Sequence, residues 1–274
     1  MSSGSIGCRE FAQAVLERPD LESKLAPPCG EVQFGEAPAE RAALLTAPRR
    51  SQALTIQEGP QTKVPPLDGM ADPAQRRRIL HAFANHELQA VELFAWALLA
   101  FEDAPLGFRE GLLSTLLDEQ RHARLYIERL ESLGGAFGEH PLSGYFWGKL
   151  DQLSTPRRFV CAMCLTFENA NLDHTLDYAE AAERIGDRET AKVMRQVHAD
   201  EIRHVRFGLQ WLEVFKSPDE TLVDAWCSTL EWPLRPALAR GRRLHLGPRR
   251  AAGLDDTFLE RLSGDVDGRS RAEP

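Results

Sequence analysis

The stretch LDEQRHARLY, residues 117–126, returns as ADEIRHVRFG, residues 199–208. Both copies read Asp-Glu-x-Arg-His-x-Arg, so Asp118, Glu119, Arg121 and His122 have counterparts in Asp200, Glu201, Arg203 and His204. Residues three apart on a helix share one face, so Glu119 with His122, and Glu201 with His204, can each reach a single metal ion. One Glu-x-x-His in a chain of this composition reads as a solvated face. Two of them inside a longer repeat point to a site built twice.

Two further acids complete the pattern. Glu87, in ANHELQAVEL, precedes Glu119 by 32 residues, and Glu168, in LTFENANLDH, precedes Glu201 by 33. Through a tight turn between helices, that spacing, equal to within one residue, sets each Glu at the depth of its Glu-His pair. Both sit among apolar neighbours (Phe83, Val91, Phe94, Leu165, Phe167), where an unpaired carboxylate costs several kcal/mol. A pair of cations would neutralise them. Four carboxylates with two imidazoles suit iron or manganese better than zinc, which takes fewer ligands and more Cys or His. The expected cofactor is two iron ions, with Mn/Fe or Mn/Mn as alternatives.

Other chemistry-bearing residues have plainer readings. Glu92 is a rival to Glu87, but five residues turn it about 140° around the helix; Asp173 holds the corresponding place after Glu168. His81, His86, His174 and His198 read as capped, surface or supporting histidines, His198 being the best candidate for an extra ligand. Cys161 and Cys164 read as small core residues. Tyr126, one turn after His122, reads as a packed core phenol with a hydrogen bond.

The elements that position these residues are helices. Residues 8–25 suit a short helix, and residues 26–73, rich in Pro and Gly, break every helical or strand period. From Ala74 apolar residues recur at helical spacing to about Asp103, and a second helix is expected from about Pro105 to Leu133, ended by Gly134-Gly135. Ser154-Thr155-Pro156 opens a third, to about Ile185; Gly186-Asp187 stops it and caps a fourth, to about Phe215. Short turns within each pair and about twenty residues between pairs predict an all-α, ferritin-like four-helix bundle with one long crossover. The expected organisation is an N-terminal helix and wrapping arm over 1–73, the bundle over 74–216, and a C-terminal helix with a basic tail over 217–274.

With 274 residues and 43% hydrophobic residues the chain can bury a substantial core. Its net charge of −8 argues against a broad nucleic-acid surface, although WPLRPALARGRRLHLGPRR is a local basic run. There is no long apolar run and no cationic, hydrophobic leader, so neither a membrane span nor a signal peptide is expected, and the cytoplasm is the expected compartment. Five cysteines without framework spacing fit reduced thiols.

The two Asp-Glu-x-Arg-His strings and the two isolated Glu resemble the ferritin-like di-iron carboxylate superfamily, which includes ferritins, bacterial multicomponent monooxygenases and the ribonucleotide reductase small subunit. More closely, HAFANHELQAVELFAWALLAF, DEQRHARLY, LTFENANLDH, DEIRHV and WPLRPALARG resemble the bacterial ferritin-like family catalogued as domain of unknown function 455. The resemblance implies Glu87, Glu119, His122, Glu168, Glu201 and His204 as metal ligands. It also implies that Asp118 and Asp200 hold the opposite pair's histidine, with Arg121 and Arg203 as their ion partners, and it sets Tyr126 where reductase small subunits resemble one another in carrying a radical tyrosine. The resemblance gives a fold and a metal site but no substrate; from the metal chemistry the expected function is an O₂-dependent oxidoreductase acting on a small organic substrate, served by an electron donor and present as a monomer or homodimer. A ferritin-like ferroxidase that stores iron is the alternative, and a tRNA-modifying hydroxylase a narrower one.

Overall fold

Pro19 and Asp20 split the first expected helix in two. In the computed structural model, which describes residues 4–36, 44–57 and 64–264, α1 spans Cys8–Glu17 and α2 spans Leu21–Leu25. Pro19 has no N–H to continue α1, and the Asp20 carboxylate restarts the chain by accepting the Ser23 N–H at 2.7 Å. The Pro/Gly-rich segment holds more regular structure than its composition suggests. Strand β2 (Glu31–Gln33) pairs in parallel with β1 (Ser5–Gly7), and 3-10 turns form at Gln52–Leu54 and Leu67–Ala71. Gly30 enters β2 at φ 101°, with its α-carbon so close to the Gly4 backbone that any side chain would collide with it. Residues 37–43 and 58–63 of the expected wrapping arm lie outside the described residues, as do 1–3 and 265–274.

By compactness the chain divides into residues 1–150 and 151–274. The first unit is organised on helix α3 (Pro73–Ala100) and helix α4 (Leu106–Ser132). Asp72 caps α3 by accepting the Ala74 and Gln75 N–H groups at 2.8 and 2.9 Å. Gly134, at φ 77°, closes α4, and the Gly135 N–H returns to the Leu130 carbonyl at 3.1 Å. The two helices pack along their length as a hairpin, with α1 laid on α3 and α2 against both. Beyond α4, Leu142 bridges to Ile56, which ties the crossover segment to the N-terminal arm.

The second unit opens where expected, at Thr155, whose hydroxyl accepts the Arg158 N–H at 3.2 Å. Helix α5 (Pro156–Phe159) runs without a break through a π-helical segment, Val160–Glu168, into α6 (Asn169–Arg184). A plain α-helix was expected here, and the π stretch has a visible cause. Thr166 Oγ1 donates to the Cys161 carbonyl at 2.7 Å, and the buried Trp226 indole N–H points at the same carbonyl, 3.3 Å away, and at Thr166 Oγ1, 3.2 Å away. Widened turns of this kind recur at functional sites, and this one ends on Glu168. Asp187 caps α7 (Arg188–Phe215), which forms a hairpin with α6 and packs on the π-helical segment. Helices α8 (Leu222–Thr229), α9 (Leu246–Ala252) and α10 (Asp256–Gly264) follow, α9 against α6 and α7, α10 against α8. The described chain is mostly helical, and no helix in it is long and apolar enough to cross a membrane.

Candidate metal centre

Each unit brings together one set of predicted ligands. In the first, Glu87 comes from α3, and Glu119 and His122 from α4, with exposures of 3%, 0% and 0%. One ligand atom from each lies within 4.8 Å of the others. The hairpin turn between α3 and α4 sets the depth of Glu87, and the i, i+3 relation turns Glu119 and His122 the same way, with His122 Nδ1 3.6 Å from Glu119 Oε2.

The second unit repeats the arrangement. Glu168 stands at the end of the π-helical segment, and Glu201 and His204 stand on α7, all buried and again with one ligand atom each within 4.8 Å of the others. His204 Nδ1 is 3.4 Å from Glu201 Oε2. Beside each triad an acid is held by an arginine of its own helix: Asp118 by Arg121 at 2.7 Å, and Asp200 by Arg203 at 2.6 Å. Two carboxylates and one imidazole, withdrawn from water within 4.8 Å, form a donor set that fits a divalent cation with oxygen preference.

Glu92 and Asp173, five residues beyond Glu87 and Glu168, do not belong to the triads. Both are fully buried, and both are neutralised by cations from outside the long helices. Glu92 takes Lys24 at 3.1 Å, Arg50 through two nitrogens at 3.0 and 2.7 Å, and the Trp147 indole N–H at 3.0 Å. Asp173 takes Arg249 at 2.5 and 3.0 Å and the backbone N–H groups of Gly241 and His245, each at 2.8 Å. The sequence reading missed these cations: Arg50 lies 42 residues and Arg249 76 residues from the acid it serves, and Lys24 is likewise distant from Glu92. The only available signal was the need of a buried acid for a counter-charge.

The remaining histidines also have other tasks. His81 Nε2 accepts the Gly138 N–H at 3.0 Å, and burial holds its pKa down to about 4, so the ring is neutral. His198 Nδ1 lies 3.0 Å from Thr175 Oγ1, and His86 lies between the rings of Phe83 and Phe146. Burial, with Glu168 adding to it, raises the Cys164 thiol well above its usual range, and burial pushes Cys161 up to about 12. Both stay thiols and act as packing residues. In the basic run, Arg243 pairs with Glu180 and Asp177, Arg249 with Asp173, Arg250 with Asp256, and Arg240 donates to the Leu262 carbonyl.

One turn beyond each histidine the two units differ. Tyr126 is fully buried and stacks on Phe83 with ring centroids 5.4 Å apart. Its counterpart is Gly208, where an added Cβ would meet Cys164 Cβ at 2.3 Å and Leu165 Cγ at 3.3 Å. Gly208 is what lets α7 approach the π-helical segment. Gly208→Ala is expected to cost roughly 1–3 kcal/mol, read as a lower thermal midpoint. Cys164→Ala should not relieve it, because the colliding atom is Cβ, whereas Cys164→Gly should.

Residues 11–260 match the family described as "Protein of unknown function (DUF455)". Comparison with curated proteins and with solved structures finds no match.

Proposed function

The chain belongs to the DUF455 family, and from that premise we propose that it is a ferritin-like protein holding two metal ions, iron first, that couples O₂ to the oxidation of a small organic substrate. The observation that carries the reading is the pair of buried Glu-Glu-His triads, one in each unit, related by the repeat of the sequence. In this reading the α3–α4 and α6–α7 hairpins form one four-helix bundle, and Glu87, Glu119, His122, Glu168, Glu201 and His204 hold the ions together. Four carboxylates gathered out of water without cations would cost several kcal/mol, and two divalent ions balance their charge.

A reduced di-iron pair supplies the electrons for O₂ chemistry when bound. The protein's residues do the rest. His122 and His204 bind as neutral imidazoles, with Asp118 and Asp200 holding the second ring nitrogen of the opposite pair and raising ligand basicity. Arg121 and Arg203 pair with those two acids and orient them. Phe83, Val91, Phe94 and Leu165, buried neighbours of Glu87 and Glu168 in the sequence, supply apolar surface that would exclude water from the reacting centre. Tyr126, one turn after His122 on α4, packs as a core phenol on Phe83. Repeated turnover would require an external electron donor to re-reduce the metals these residues would hold.

The test is anaerobic loading with about two Fe(II) per chain, followed by O₂. Oxidation of both irons with uptake of O₂, by a monomer or dimer in gel filtration, is the expected result. Iron that binds but does not react with O₂ would refute the oxidative role. A large closed shell that accumulates iron far beyond that loading would replace it with storage.

A further inference from the structure

The C-terminal helices reach one ligand through its backbone. A carbonyl in an α-helix accepts the N–H four residues on, and in a π-helix the N–H five residues on. For Cys161 the fifth residue is Thr166, and the Thr166 hydroxyl also donates to the Cys161 carbonyl, at 2.7 Å. With its proton committed there, the Thr166 oxygen is left to accept. The Trp226 indole N–H is shared between that oxygen and the Cys161 carbonyl, at 3.2 and 3.3 Å. All three residues are fully buried, so no water competes for these bonds.

The helices that deliver Trp226 are fastened on both sides of the π-helical segment. Before it, Arg157 of α5 binds Glu220 at 2.8 and 2.9 Å and the Thr229 hydroxyl at 2.8 Å, which bracket α8. Trp226 itself stacks on Phe258 of α10, with ring centroids 4.7 Å apart. After the segment, Arg249 of α9 donates to the carbonyl of Asn169, the residue that follows Glu168, at 2.9 Å. In the first unit the corresponding residues, 80–87, lie inside α3 as ordinary α-helix, and Asn85, at the place of Thr166, sends its amide to the Ser143 carbonyl at 3.0 Å. A widened turn takes up one residue more than an α-turn, and one residue is about 100° of helix rotation. If the segment returned to α-helical pairing, α5 and Glu168 could not both keep their directions.

We propose that Trp226 and Thr166 are positioning residues for the metal centre: they lock the π-helical form of this helix, and that form aims Glu168 at Glu201 and His204. The inference rests on the metal-binding reading above. It gives the C-terminal helices a task beyond covering apolar surface.

The test is an anaerobic titration of the metal-free protein with Mn(II), following the free ion by electron paramagnetic resonance, for the wild type, Trp226→Phe, Thr166→Val and Thr166→Ser. Phenylalanine keeps a ring against Phe258 and removes the N–H, valine keeps the shape of threonine without the hydroxyl, and serine keeps the hydroxyl. Circular dichroism of the metal-free forms establishes folding, and the two Thr166 variants decide the matter if Trp226→Phe does not fold. Trp226→Phe and Thr166→Val are expected to need about 10- to 100-fold more Mn(II) for half-filling, with Thr166→Ser within about threefold of wild type. Wild-type affinity in folded Thr166→Val or Trp226→Phe overturns the proposal. So does equal weakening in Thr166→Val and Thr166→Ser, because packing rather than the hydroxyl would then be responsible. A wild type that binds no Mn(II) refutes the metal-binding reading itself, which is a different result from either.

Discussion

Replacing Arg249 by alanine is expected to cost about 3–5 kcal/mol of folding free energy, among the larger effects a single substitution can have. Arg249 and Asp173 are both fully buried, and the guanidinium also donates to the carbonyls of Asn169, Ala239 and His245 at 2.9, 3.1 and 3.1 Å. Alanine would leave Asp173 charged in the interior with only two backbone N–H groups, and three carbonyls without their donor. The cost comes from the broken pair rather than from the worth of the intact one. Arg249→Met combined with Asp173→Leu should therefore recover most of the lost stability, since an apolar pair of similar volume avoids the desolvation of both charges. Urea unfolding of the three variants checks this. A loss below about 1 kcal/mol in Arg249→Ala would show that water reaches Asp173.

The second large effect is on metal-dependent stability. If the triads bind cations only in the folded chain, a ligand at a hundred times its dissociation constant adds about 2.7 kcal/mol, and the wild type should melt well above its metal-free form. Glu119→Ala with Glu201→Ala removes one carboxylate from each triad. Its thermal midpoint should not respond to Fe(II) or Mn(II). Without metal the double variant should lie close to the wild type, because removing two buried carboxylates offsets the cavities they leave and the lost Asn171–Glu201 hydrogen bond. Differential scanning fluorimetry with and without metal gives both comparisons.

How much of this was legible in the sequence depends on the range of the forces involved. Helix ends were legible because caps are local: Thr155-Pro156 and Gly186-Asp187 carry their hydrogen bonds within three or four residues. The triads were legible because helical spacing and a tight turn fix depth and direction together. What escaped depends on contacts distant in sequence. The β1–β2 pair consists of two three-residue strands with no alternation to detect. The π-helical segment depends on the Trp226 indole, 65 residues from the carbonyl it meets. The cations Lys24, Arg50 and Arg249 sit in segments whose texture suggested a short helix, a wrapping arm and a basic tail. In the fold they neutralise Glu92 and Asp173, one in each unit, five residues beyond a predicted ligand. The break at Pro19 was the avoidable miss, since proline announces it.

The most direct measurement is the metal content of the purified chain, by plasma mass spectrometry after anaerobic reconstitution with Fe(II) and removal of loosely bound ions. The account predicts about two ions per chain in the wild type and none in Glu119→Ala with Glu201→Ala. An unchanged metal content in that double variant would contradict it, because the ions would then lie somewhere other than between the two repeated triads.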